Sequence, residues 1–172
     1  MSADPTLKYL AAYSPDLRAQ VRLLMAEGRL ADSLAQRYPE RHNIASDASL
    51  YGYVHELKSR YMRNAGPLAK VLYDSRLHLT QQALGTHTAV SRLHGGNLKA
   101  RREIRIASFF REAPTAFLRM IVVHELAHLK EREHDKAFYA LCTHMEPAYH
   151  QLEFDVRLWL TGLEAGLMKA GE

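Results

Sequence analysis

Two histidines four residues apart, His124 and His128, with a carboxylate beside the first, form the pattern in this chain of 172 residues that points most directly to chemistry. On a helix, positions i and i+4 lie on one face a turn apart, so both imidazoles can reach a single ion. Neutral imidazole is a good zinc ligand. Glu125, next to the first ligand, is placed to take a proton from a metal-activated water rather than to bind the metal itself. A third histidine, His134, follows shortly after the helix. Three protein donors plus an open position for water make a catalytic zinc site, whereas a structural zinc is usually closed by four protein ligands. Glu146 or Glu153, from a following helix, is the alternative third donor; His134 is favoured because imidazole suits zinc and the loop to be closed is short.

A second stretch, Val54 to Ser59, opens with the same four letters as Val123 to His128. Ser59 stands where the second histidine would have to be, so His55 lacks a helical partner. That stretch reads as scaffold, with Val54 and Leu57 in the core and His55 and Glu56 facing outward.

The elements that position the pair follow from local signals. Ser14-Pro15-Asp16 reads as a cap with proline at the first helical position, and Leu17, Val21, Leu24 and Met25 carry the helix to Gly28. A short helix from Leu30 to Tyr38 and a third one capped by Asp47 and ending before Asn64-Ala65-Gly66-Pro67 complete a helical part over residues 1–66. Residues 67–110 read as a small antiparallel sheet. Lys70 to Tyr73, turn residues Asp74-Ser75 and Arg76 to Leu79 suggest one hairpin, and Gly95-Gly96 suggests another, whose return strand alternates Ile104 and Ile106 with Glu103 and Arg105. Residues 111–172 begin with a helix opened by Pro114 and apolar on nearly every side, the sign of a helix buried through a core. Polar groups on such a helix need partners, and a metal would supply one. Asp135 is placed to cap the next helix, Pro147 ends it, and Leu152, Val156, Trp159, Leu160 and Leu163 mark the last one.

Composition narrows the class. With 47% apolar residues the chain can bury one core, so residues 1–172 are expected to form a single α+β domain. No apolar run is long enough for a bilayer and the first residues lack a signal-type segment, so a cytoplasmic location is expected, without membrane association. One cysteine, Cys142, excludes an internal disulfide and multi-cysteine zinc clusters, and reads as a small buried apolar group. A net charge of +4 is mildly basic, but no aromatic-and-basic module is present, so nucleic acid is disfavoured as a partner. Oligomeric state is not legible.

The segment from Arg119 to Leu160 resembles the YgjP-like metallohydrolases, whose pattern is HELxH, five residues, His, and a phenylalanine four further on, here Phe138. The likeness extends to Asn64–Leu79, Gly85–Arg119 and Arg29–His42, nearly the whole chain; the metal-site segment alone is also similar to the SprT-like and WLM proteases. The resemblance implies a zincin-like fold, His124, His128 and His134 as ligands, and Glu125 as the catalytic residue. It implies two substrate classes, since the family is grouped by motif with metallopeptidases and relatives have been assigned as metal-dependent UTP pyrophosphatases.

Chemistry places a zinc-dependent metallopeptidase first, with a sheet edge aligning an extended peptide. His144, Tyr149 and His150 are candidate donors to the transition state. UTP pyrophosphatase is the alternative: Lys99, Arg101 and Arg105 would share a strand face able to hold phosphates. Mn2+ or Mg2+ could replace Zn2+. A non-catalytic metal-binding protein is the third reading, against which Glu125 argues.

Overall fold

A computed structural model describes residues 5–77 and 102–171. The architecture is mixed α+β and mostly helical. After a 3-10 segment at Pro5–Leu10 come α1 (Pro15–Ala26), α2 (Leu30–Arg37) and α3 (Asp47–Tyr61), then β1 (Lys70–Asp74) and β2 (Glu103–Ala107). A second 3-10 segment, Ser108–Glu112, leads into α4 (Thr115–Ala127), α5 (Lys136–Met145) and α6 (Tyr149–Glu164).

The helix boundaries follow their local chemistry. Ser14 caps α1, its hydroxyl accepting from the Leu17 N–H, Pro15 opens the first turn, and Gly28 beyond the end adopts a φ of 68° that suits glycine. In α3 the cap is Ser46, not the expected Asp47. Ser46 and Ser49 exchange side-chain and backbone hydrogen bonds in a reciprocal capping box. Asp47 is thereby free to accept from the Tyr73 N–H at 2.9 Å, which ties α3 to β1. Val54 and Leu57 are buried, whereas His55 is exposed and stacks on Tyr51, so the first of the two similar stretches does serve as scaffold.

The sheet departs from expectation. Among the described residues β1 and β2 pair in parallel, Val71 opposite Ile104 and Tyr73 opposite Ile106. An antiparallel pairing of these two strands would suit a tight turn, but the connection from Asp74 to Glu103 is much longer than the dozen or so residues a parallel crossover needs. The hairpins expected over residues 78–101, including Gly95-Gly96, lie outside the described residues. Ile104 and Ile106 face the core, and Arg105, on the other face, bonds Asp74 at 2.9 Å and Glu103 at 3.0 Å. Hydrogen bonds from Arg76 are the main cause that holds the Asp74 carboxyl down at about 2, with Arg105 adding to them.

One apolar cluster links these elements, and α4 runs through it. Phe117, Leu118, Met120, Ile121, Val122, Val123, Leu126 and Ala127 are all buried, since the helix meets α3, β2, α5 and α6. Its first N–H groups are steadied by Thr115 donating to the Glu40 carbonyl at 2.9 Å. Cys142 lies buried in the same cluster. No helix among the described residues is long and apolar enough to cross a membrane.

Candidate metal centre

The helix α4 ends at Ala127, so His128 occupies its C-cap. The chain then folds in tight turns, with Leu129 donating to the Leu126 carbonyl and both Lys130 and Glu131 to that of Ala127. This brings the Glu131 carbonyl to 2.9 Å from His128 Nδ1. The turn needs no glycine: no non-glycine residue among those described has a positive φ. Asp135 then caps α5 by accepting from the Phe138 N–H at 2.9 Å. His134, just before the cap, is swung back over the end of α4.

Three imidazoles converge. His128 Nε2 lies 3.1 Å from His124 Nε2 and 3.0 Å from His134 Nε2, and the three ligand atoms fall within 4.8 Å of one another. His124 is buried, His128 half-buried and His134 exposed, so the cluster opens on the His134 side. Phe138, fully buried, supports all three rings, with centroid separations of 5.0 Å to His124, 4.5 Å to His128 and 4.9 Å to His134.

The donor set suits a divalent ion on its own chemistry. A carbonyl only accepts, so His128 must carry its proton on Nδ1, which leaves an unprotonated Nε2 facing two other ring nitrogens. His124 Nδ1 lies 2.8 Å from the Tyr149 hydroxyl, the outer-partner arrangement that metal-ligating histidines adopt. Desolvation is the main effect that lowers the pKa of His134, favouring the neutral ring a metal requires.

Glu125 is half-buried on the turn between His124 and His128. Burial pushes its carboxyl up to about 8, and a divalent cation alongside would offset that by favouring the ionised form. The alternative third donors are engaged elsewhere: Glu146 accepts from Arg119 at 3.1 Å, and Glu153 from Arg157 at 3.0 Å. His144 and His150 are exposed, and Tyr149 is turned to His124 rather than outward. Lys99 and Arg101 lie outside the described residues; the Arg105 guanidinium is held between two carboxylates.

Sequence reasoning missed the outer partners. Tyr149 stands on a separate helix with no fixed spacing to His124, and the Glu131 acceptor is a backbone atom, which no residue type announces. A buried, polar-tipped aromatic near the ligand segment was the available signal.

A buried helix carrying a histidine pair and a carboxylate, with a third imidazole folded back over its end, defines the class as an HExxH-type hydrolase. A family model described as YgjP-like, metallopeptidase domain, matches residues 29–157, and the chain belongs to that family. UTP pyrophosphatase of Escherichia coli (strain K12) is 60% identical to it over 163 residues, covering 95% of this chain and 98% of that protein. No solved structure matches. Family and histidine cluster together indicate an enzyme of the hydrolase class that uses a divalent metal ion.

Proposed function

We propose that the chain is a metal-dependent nucleoside triphosphate pyrophosphatase acting on UTP, with His124, His128 and His134 as metal ligands and Glu125 as general base. The observation that carries this reading is the 60% identity, over nearly the full length of both chains, to a UTP pyrophosphatase. It displaces the peptidase from first place. The bare HExxH chemistry serves both, because an ion and a neighbouring carboxylate activate water whether the electrophile is carbonyl or phosphorus. Three imidazole donors favour Zn2+ over Mn2+ and Mg2+, which suit oxygen ligands. A single domain and a cytoplasmic setting belong to the same proposal.

The bound ion would acidify a water and polarise the phosphoryl group. In the reaction Glu125 accepts the proton of the attacking water, whose oxygen bonds to the α-phosphorus as the α–β bridging P–O bond breaks, yielding UMP and pyrophosphate. Tyr149, the Glu131 carbonyl and Phe138 hold the imidazoles in place, and the exposed His134 side is where substrate enters.

Metal-loaded protein is expected to release pyrophosphate from UTP and to leave an unstructured peptide library uncut. Peptide cleavage without pyrophosphate release would return the peptidase to first place, which the family description keeps as the second reading.

Charge compensation of the triphosphate is assigned to Lys99 and Arg101. Arg105 is committed to Asp74 and Glu103 and is not assigned to phosphate. Lys99→Ala combined with Arg101→Ala is expected to raise KM for UTP about tenfold or more at unchanged metal content, as loss of charge-assisted hydrogen bonds worth roughly 1.5–3 kcal/mol dictates. Wild-type KM in that variant removes the assignment.

A further inference from the structure

Two of the three imidazoles are oriented by partners of different kinds. His128 Nδ1 faces the Glu131 carbonyl, an obligate acceptor, so its tautomer is fixed by the backbone. His124 Nδ1 faces the Tyr149 hydroxyl, which can either donate or accept. The direction of that bond decides what His124 can do. A neutral imidazole carries one N–H: if tyrosine donates to Nδ1, the ring proton sits on Nε2 and no lone pair is left for a metal. If the ring donates, Nε2 is bare and the hydroxyl hydrogen needs an acceptor elsewhere.

The surroundings favour the second arrangement. Tyr149 is the first residue of α6, wholly buried, so solvent cannot take its hydrogen. Cys142 is buried on α5 beside Tyr149, and a thiol sulfur can accept that hydrogen.

We propose that Tyr149 is a positioning residue for the metal centre: its hydroxyl accepts the Nδ1 proton of His124, passes its own hydrogen bond to Cys142, and so holds His124 with Nε2 turned to the ion. This rests on the reading of the three imidazoles as a metal site. Tyr149 touches neither substrate nor the reacting atoms, and its effect is exerted through His124.

The test is Zn2+ affinity by chelator competition, normalised to folded protein, for wild type, Tyr149→Phe, Cys142→Ala and Cys142→Ser, with the visible absorption of the Co2+-loaded proteins alongside. Tyr149→Phe is expected to weaken Zn2+ binding about 10–100-fold, the range for loss of an outer-shell partner, and to shift the Co2+ bands. Cys142→Ala, which leaves the phenol without its acceptor, is expected to weaken binding a few-fold, and Cys142→Ser to restore it, because a hydroxyl accepts where a methyl cannot. Zn2+ affinity of Tyr149→Phe equal to wild type overturns the role of Tyr149 alone; wild type that binds no Zn2+ overturns the metal site itself. Should Tyr149→Phe not fold, the serine and alanine variants decide: equal affinity in the two overturns the relay.

Discussion

Glu125→Gln is expected to reduce pyrophosphate release from UTP by about 10²–10⁴-fold while the protein keeps its metal, the range for removal of a positioned general base. Glutamine keeps the shape and the hydrogen-bonding reach of the side chain but cannot take a proton. The carboxyl sits between His124 and the C-cap residue His128, half-buried, and its raised pKa is a desolvation effect that a nearby cation would reverse. Those facts make the substitution clean, since the neutral amide suits a site that already resists charge. Turnover and metal content must be measured on the same sample. Loss of activity with metal retained assigns the proton transfer to Glu125. Activity within about threefold of wild type would mean that the proton goes elsewhere, and the HExxH carboxylate would then be a structural neighbour.

How much of this was legible in the chain depends on whether the signal is local. His124, His128 and Glu125 were readable because helical periodicity converts a spacing of four into a shared face. His134 was readable because it is close in sequence, although the turn that delivers it, made without glycine, was not. Ser14, Pro15 and Asp135 announced their helix starts through capping chemistry, and Asp47 misled because it follows Ser46: two good capping residues stood side by side, and the tertiary bond to Tyr73 decided between them. Strand direction was not legible. Alternating Ile104 and Ile106 mark a half-buried strand whichever way its neighbour runs, so the parallel pairing of β1 with β2 had to come from the structure. The Tyr149 contact to His124 was hidden for the same reason, being a product of packing between α4 and α6.

The two stretches that share the letters VHEL supply the other large effect. His128→Ala is expected to lower Zn2+ affinity by more than the 10–100-fold that loss of an outer partner produces, and with it to abolish hydrolysis. His128 is the middle member of the cluster, its Nε2 near both of the others, so its removal leaves two donors with nothing between them. The loss cannot be repaired locally, because Glu146 and Glu153 are held by Arg119 and Arg157. His55→Ala is the matched control. It deletes an exposed imidazole, stacked on Tyr51, from a helix with the same four-letter opening, and is expected to leave metal content and turnover at wild-type values. Metal retained at full affinity in His128→Ala would break the three-histidine site and shift the search for ligands to other residues. Metal lost in His55→Ala would show that the first stretch does more than pack. The expected contrast depends on one position, since a serine at residue 59 leaves His55 without the i+4 partner that His128 provides for His124.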